Sequence, residues 1–208
     1  ALRFLVNNCG STAVLCTATQ PLLDKVDPVQ RSLTIPQEQR IIKDEQDFFR
    51  KLKRVEVYDQ QKIGGWPEDE VVDLATSELQ ETGSILIIVN TKTSARSLYN
   101  KFVDKKLTET YHLSTNMCPA HRLNVLGIIK DRLDKKQSVI CVSTQLIEAG
   151  VDIDFGSVIR YLAGLDSIAQ AAGRCNRNGR RKLGRVHIIN PKNENIDRLK
   201  DIKIGAQD

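Results

Sequence analysis

Short apolar runs that alternate with helix-like stretches constrain the fold of this chain more than any other feature. The runs are rich in Val and Ile without strict polar alternation, which is typical of strands covered by helices on both faces. From residue 84 onward they are Ser84–Val89, Thr110–Leu113, Ser138–Val142, Ser157–Leu162 and Val186–Ile189. Helix candidates lie between them, at Ser94–Asp104, Ala120–Leu133 and Ser167–Ala172. This order predicts an α/β domain built of βαβ units around a mostly parallel sheet.

Three segments of the chain differ in character. Residues 1–23 contain one compact strand candidate, Thr12–Cys16, and we interpret them as the tail of a preceding domain. Residues 24–66 are mixed and highly charged, and we interpret them as a connector. Its candidate elements are a short helix near Asp44–Leu52 and an extra strand, Val55–Tyr58. The main domain, residues 67–208, opens with a helix candidate, Pro67–Glu81, which has acidic residues in its first turn and Gly83 just past its end.

Composition and cysteine usage indicate the cellular compartment of this chain. No apolar run approaches the roughly 20 residues that span a bilayer, and no signal-type segment opens the chain. The five cysteines are an odd number without Cys-x-x-Cys spacing, as expected of reduced thiols. We therefore expect a soluble cytoplasmic protein. The only methionine is Met117, so we also expect this piece to lack its natural start.

A basic run near the end of the chain contains the most specific pattern. No acidic residue lies between Asp166 and Glu194, whereas this interval holds Arg174, Arg177, Arg180, Arg181, Lys182, Arg185 and Lys192. A solvated basic surface would also explain such a run. Within it, however, the block Gln170–Arg177 places Arg174 and Arg177 three residues apart behind a glycine and a glutamine, which is the spacing of an arginine finger. Because a guanidinium is always charged and offers a rigid fork of donors, this pair suits a phosphoryl group in transfer.

Polar residues also follow two of the predicted strands. Ile85–Val89 runs into a segment that opens a helix with Thr91 and Thr93. Helix N-termini at the carboxyl edge of an open α/β sheet favour phosphate, although simple N-capping explains these threonines equally well. A third polar segment, Thr17-Ala18-Thr19, follows the strand candidate near the start and can bind a neighbouring acidic group or merely form a turn.

The segment Val142–Asp152 repeats this strand-end arrangement. Ser143 and Thr144 can donate to a nucleic-acid phosphate, Gly150 permits close backbone approach, and Asp152 can accept from a ribose hydroxyl. A metal cluster of Glu148, Asp152 and Asp154 is the alternative. We disfavour it, and predict no metal site, because no histidine is near and the spacing fits no standard loop.

Four blocks in order resemble motifs III, IV, V and VI of superfamily 2 helicases. They are Thr17–Thr19 with its strand, Ile85–Thr93, Ser143–Asp152 and Gln170–Arg177. The amino-acid sequences of four segments are similar to those of one family in particular, the CRISPR-associated helicase-nuclease of type I systems. The segments are Leu15–Pro21, His112–Arg122, Gln145–Phe155 and Gly173–Arg177. This resemblance covers nearly the whole chain. It implies a RecA-like three-layer fold of the P-loop NTPase type, with the tail of the first lobe at 1–23, an interlobe connector at 24–66 and the second lobe at 67–208.

The resemblance also implies an activity: translocation on single-stranded DNA driven by ATP, in antiviral defence in a prokaryotic cytoplasm. A surveillance complex with guide RNA opens foreign DNA, and the helicase-nuclease is recruited to degrade it. By position, Arg174 and Arg177 resemble the arginine fingers. The other implied roles are ATP contact for Gln170, Gly150 and Asp152, DNA contact for Thr91, Ser143 and Thr144, and coupling for Thr17, Ala18 and Thr19.

Two departures from the helicase pattern matter. Ala171 stands where many superfamily 2 helicases carry an arginine or another polar residue. The chain also has no Gly-x-x-x-x-Gly-Lys-Ser/Thr loop and no Asp-Glu-x-His/Asp segment, so ATP and Mg²⁺ are expected to be bound mainly by the missing first lobe in cis. We therefore expect the chain alone to be inactive. Nor does it contain the histidine-aspartate set of the family's nuclease.

Two other interpretations fit parts of the sequence. One is a lobe of another superfamily 2 helicase that acts in DNA repair or RNA metabolism. The other is a non-catalytic α/β module whose basic run binds nucleic-acid phosphates. The order of the four blocks favours a helicase lobe over the binding module, and the residues of the four segments named above are more similar to the CRISPR-associated family than to other superfamily 2 helicases.

Overall fold

The computed structural model describes residues 2–16, 23–25, 32–33, 35–42, 44–148 and 150–194. The chain divides into two compact units, Ala1–Leu52 and Lys53–Asp208. Among the described residues, no helix has the length and apolar character needed to cross a membrane.

The first unit contains two short helices, α1 (Leu2–Asn8) and α2 (Glu45–Lys51). Helix α2 confirms the predicted short helix, and its N-cap Asp44 accepts a hydrogen bond from the amide of Asp47 at 2.9 Å. The predicted strand Thr12–Cys16 is wrong, because residues 11–16 have no regular secondary structure. A strand needs a neighbour for its backbone groups, and this segment pairs with no described strand. Thr17, Ala18 and Thr19 lie outside the described residues.

In the described part of the second unit, six parallel strands form one sheet, in the order β1-β6-β5-β2-β4-β3. They are β1 (Val55–Asp59), β2 (Ser84–Ile88), β3 (Glu109–Leu113), β4 (Val139–Ser143), β5 (Ser157–Tyr161) and β6 (Gly184–Ile189). The predicted α/β fold class is confirmed. Strand β1 pairs with β6 at one edge, so the sheet includes a strand that the sequence analysis assigned to the connector.

Helices cover both faces of this sheet. They are α3 (Glu68–Thr82), α4 (Lys92–Lys105), α5 (Pro119–Asp134) and α6 (Leu165–Ala172). Because successive strand residues point to opposite faces, Ile85 and Ile87 of β2 join the core beneath α3 and α4, whereas Leu86 and Ile88 join the core beneath α5 and α6. The result is the three-layer arrangement of a RecA-like lobe.

Local signals set the ends of these helices as the sequence predicted. Thr91 caps α4, since its Oγ1 accepts a hydrogen bond from the amide of Ser94 at 3.1 Å. Pro119 is the first residue of α5, where a missing N–H costs nothing. Gly83 ends α3 in the left-handed region, at φ 73°. Since all strands are parallel, the loops that follow β2, β4, β5 and β6 meet at one carboxyl edge.

Candidate functional site

The candidate residues that the structure describes lie at both edges of the sheet. Thr91 follows β2, Ser143 ends β4 and Thr144 follows it, while Gln170 lies half-buried on α6. Gly150 and Asp152 are exposed in the loop after β4, and Gly150 adopts φ 72°, a conformation that glycine adopts without strain. The arginine block follows α6 directly. Thr91, Ser143 and Thr144 therefore lie at the carboxyl edge, whereas the arginine block reaches the amino edge, where the side chain of Asn176 donates to the carbonyl of Arg54 just before β1.

Arg177 is the exposed member of the arginine pair. Its side chain is 43% exposed, and its Nε lies 2.9 Å from Oδ1 of Asp152. Lys130 of α5 lies 3.9 Å from the other oxygen of the same carboxylate. Two predicted residues from different motifs are therefore in direct contact, and the guanidinium of Arg177 remains accessible to an anionic ligand.

Arg174 lies in the opposite environment, with only 8% of its surface exposed. Each nitrogen of its guanidinium donates to a main-chain carbonyl of the loop after β4. The acceptors are Ile147, Glu148 and Val151, at 3.0, 2.6 and 2.5 Å from Nε, Nη2 and Nη1. Burial lowers the pKa of this guanidinium, and the charge of Arg177 acts in the same direction, but an arginine keeps its proton.

These three hydrogen bonds make Arg174 a clamp on the loop that carries Gly150 and Asp152. Buried carbonyl groups need partners, and here one side chain satisfies three of them. Since Asp152 in turn contacts Arg177, the two arginines are connected through this loop.

Two residues that the sequence did not single out for this purpose hold the arginine block in place. The carboxylate of Asp154 accepts hydrogen bonds from the amides of Arg177 at 2.7 Å and Asn178 at 3.2 Å. Asn176 adopts φ 47°, and its side chain bonds the main chain of Arg54 and Arg181. From the sequence alone, Asp154 is a candidate only for metal binding. Its actual role depends on a turn that the sequence alone does not define.

A second polar site lies where α4 begins. The amides of Asn90 and Thr91 donate to one carboxylate oxygen of Glu194, at 3.0 and 2.9 Å. The side-chain amide of Asn90 donates to the other oxygen at 2.9 Å. An anionic group therefore occupies the N-terminus of α4, as expected from the partial positive charge there.

Ser143 and Thr144 are both buried, although the sequence predicts that they contact DNA. Ser143 is fully buried, and its hydroxyl donates to the carbonyl of Thr144 at 2.8 Å. Thr144 is 7% exposed, and its Oγ1 has no hydrogen-bond partner within the described ranges. Of the two hydroxyls, that of Thr144 is thus the one able to bind another group.

Beneath these loops lies a buried ion pair that the sequence analysis did not find. Arg160 of β5 is fully buried, and its Nε lies 2.9 Å from Oε1 of Glu148. Its Nη1 donates to Oδ1 of Asn90 at 2.6 Å. Burial raises the pKa of Glu148 against the effect of Arg160, and burial lowers the pKa of Arg160 against the effect of Glu148. Both ions are therefore held at a desolvation cost.

The three carboxylates considered as a metal cluster have other partners. Glu148 pairs with Arg160, Asp152 with Arg177, and Asp154 with main-chain amides. Within the described ranges, no group of three or more histidine, cysteine or acidic residues has the arrangement of a metal site. The chemistry that the two edges offer is cationic: an accessible guanidinium at the amino edge, and a helix N-terminus that binds an anion at the carboxyl edge.

Comparison with known proteins agrees with the fold and with the motifs. A family model described as "CRISPR-associated nuclease/helicase Cas3, C-terminal" matches residues 81–180, the stretch from the end of α3 to the arginine block. A curated relative, the CRISPR-associated nuclease/helicase Cas3 of Methanothermobacter thermautotrophicus, is 34% identical over 113 residues. That match covers 53% of this chain and 13% of the relative, so the chain corresponds to a small part of the relative's length.

Solved structures show the same fold. The T. fusca Cas3 structure with AMPPNP has a TM-score of 0.58 at 22% identity, covering 68% of this chain and 19% of that one. A chain in a structure described as "CRISPR RNA-guided surveillance complex, pre-nicking" has a TM-score of 0.54 at 21% identity, covering 68% of this chain and 19% of that one. The family model, the curated relative and the RecA-like fold agree that this chain is similar to part of the C-terminal region of CRISPR-associated nuclease/helicase Cas3 proteins.

Proposed function

We propose that this chain is the second RecA-like lobe of an ATP-dependent single-stranded-DNA translocase and helicase that acts in CRISPR antiviral defence. The observation that carries the proposal is the accessible guanidinium of Arg177, held at the amino edge of the sheet by Asp152 and by the main-chain contacts of Asp154. A fixed cation at the rim of a RecA-like lobe suits the charge that develops on a phosphoryl group held by a neighbouring lobe.

ATP is the substrate at this edge. Arg177 contacts the transferring phosphoryl group, while Gln170, Gly150 and Asp152 contact the nucleotide. Arg174 is the second proposed finger. Because its three donors bond carbonyls in this structure, it stabilises the loop of Asp152 unless it exchanges them for phosphate oxygens. The phosphate loop and the ligands of Mg²⁺ belong to the first lobe, to which Thr17, Ala18 and Thr19 contribute coupling.

Single-stranded DNA binds at the carboxyl ends of β2 and β4. Thr91, Ser143 and Thr144 are the proposed contacts. The carboxylate of Glu194 on the amides of Asn90 and Thr91 supports this position, because a backbone phosphate is an anion that the same amides would bind. The orphaned hydroxyl of Thr144 supports it as well.

The similarity to Cas3 proteins extends the proposal to partners. We propose that the full-length protein works with a guide-RNA surveillance complex in a prokaryotic cytoplasm. One structure with the same fold is described as such a complex, and that supports this partner.

ATP turnover by the full-length protein tests the proposal. We expect single-stranded DNA to stimulate turnover at least about tenfold, on the scale of strong coupling between two sites. The matched control is this chain without the first lobe, which we expect to show negligible turnover. Equal rates with and without DNA in the full-length protein, or substantial turnover by the chain alone, would contradict it.

A further inference from the structure

Arg160 occupies a central position that neither proposed site explains. It lies on β5, next to the central strand β2, and no part of it is exposed. Its guanidinium contacts the segment after β2, through Asn90, and the segment after β4, through Glu148. A single side chain of β5 thus joins the loop after β2 to the loop after β4.

The contacts of Arg160 form part of a continuous chain between the two proposed sites. At one end, Asn90 precedes Thr91, the N-cap of α4, and accepts from Nη1 of Arg160 at 2.6 Å. At the other end, Glu148 pairs through its carboxylate with Arg160, and its carbonyl accepts from Arg174 at 2.6 Å. Every step from Thr91 to Arg174 is a covalent bond, a hydrogen bond or an ion pair.

Stability does not explain why these ions are buried. Desolvation of two charges generally offsets their attraction, and a packed apolar pair of similar volume is often equally stable or more so. The pair is also imperfect: the Nε–H of Arg160 is not aligned with Glu148, and Nη2 lacks a hydrogen-bond partner among the described residues. A second carboxylate, that of Glu194, acts electrostatically on the same guanidinium. We therefore attribute the buried pair of Arg160 and Glu148 to a different role, that of fixing the relative positions of the groups that it contacts.

We propose that Arg160 is a positioning residue that couples DNA binding at Asn90–Thr91 to ATP binding at the loop clamped by Arg174. This inference rests on the proposed function, since it assumes that DNA binds at the start of α4 and that ATP binds at the loop that carries Asp152. Binding of DNA at the start of α4 moves Asn90, Arg160 follows through its hydrogen bond, and Glu148 passes the change to the loop that carries Asp152. By linkage, ATP must affect DNA binding by the same factor.

Binding measurements on the full-length protein test this inference without catalysis. The affinity for a fluorescent single-stranded DNA is measured with and without a non-hydrolysable ATP analogue. We expect the analogue to change the affinity of the unmodified protein by about tenfold, within the range of measured couplings. In Arg160→Met the change shrinks to less than about twofold, while the affinity for either ligand alone stays within about threefold of the unmodified protein.

Arg185→Met is the matched control. Arg185 is also a strand arginine with a carboxylate partner, its Nε lying 3.0 Å from Glu78, but it contacts neither site. This variant should retain the full effect of the analogue. If Arg160→Met does not fold, Glu148→Gln decides the question, since it keeps the shape of the side chain and removes the charge that Arg160 meets. It should lose the effect in the same way.

Three results would overturn the inference. The first is full coupling in Arg160→Met or, where that variant does not fold, in Glu148→Gln. The second is a loss of affinity for each ligand alone, which would indicate a purely structural role. The third is an unmodified protein in which the analogue leaves DNA affinity unchanged although DNA still stimulates turnover. If DNA neither binds nor stimulates turnover, the proposed function itself fails.

Discussion

Arg174 and Arg177 lie three residues apart in one block, yet the structure places them in opposite environments. The guanidinium of Arg174 is buried and donates to three carbonyls, whereas the side chain of Arg177 is 43% exposed and contacts one carboxylate. Two arginines of one sequence block therefore perform two different physical tasks. A buried arginine stabilises the main chain around it, and an exposed one is available to a ligand.

This difference changes how the arginine-finger pattern is interpreted. Spacing alone assigns both side chains to the phosphoryl group. The contacts favour Arg177 for that role and make Arg174 the support of the loop beneath it. Substitutions at the two positions should accordingly separate into an effect on turnover and an effect on stability.

The largest expected effect follows from Arg177→Ala in the full-length protein. Loss of a finger that stabilises transition-state charge should lower ATP turnover by about 10³ or more. Because the side chain is exposed, the urea midpoint of the chain should barely change. Arg50→Ala is the control, since the side chain of Arg50 is 76% exposed and pairs at 3.4 Å with Asp47; its turnover should stay within about twofold of the unmodified rate, as for a surface pair. A normal rate in Arg177→Ala would reject the assignment.

Arg174→Ala should act on stability as well as turnover. Three buried carbonyls would lose their donor, and at about 1 kcal/mol for each unmade hydrogen bond the free energy of unfolding should fall by about 3 kcal/mol. Urea titration of the chain measures this change. Lysine at this position keeps the charge but cannot reach three acceptors in one plane, so Arg174→Lys should recover only part of the loss. Unchanged stability in Arg174→Ala would show that Arg174 is not a clamp.

The sequence predicted most of the second unit because its signals are local. Strand β2 and helix α4 follow from an apolar run and from a threonine that caps the helix, all within about 20 residues. The predicted strand Thr12–Cys16 shows the limit of such local signals. An apolar run becomes a strand only where another strand offers it hydrogen bonds, and no described strand pairs with this one.

The candidate site was less predictable because its contacts join distant parts of the chain. Asn90 meets Glu194 across 104 positions, and Arg160 meets Asn90 across 70. Arg160 lies inside the predicted strand Ser157–Leu162, but nothing in the local sequence indicates its partners. Its burial depends on its position in β5, near the centre of the sheet, and strand order is a property of the whole domain. The arginine block itself was found because its glycine and spacing are local.

The strand beneath the block offers a final way to test whether the two arginine environments depend on each other. Gly184 begins β6, and a Cβ there would lie 2.5 Å from Sγ of Cys175 and 2.8 Å from Cβ of Asn176, the two residues between the arginines. Gly184→Ala should therefore force the block to shift and lower the free energy of unfolding by about 2 kcal/mol, as overpacking does. The matched control is Gly127→Ala on α5, where nothing lies within 4 Å of the added Cβ.

Gly127→Ala should instead stabilise the chain by up to about 1 kcal/mol, because alanine favours a helix more than glycine does. Turnover of the full-length protein then decides between two arrangements. If the block moves as one body, Gly184→Ala lowers turnover about tenfold, the scale of about 1.4 kcal/mol in the barrier, since Arg177 shifts together with Arg174. If Gly184→Ala lowers stability while turnover stays normal, the exposed arginine is held by Asp152 and Asp154 alone, and the two environments are independent.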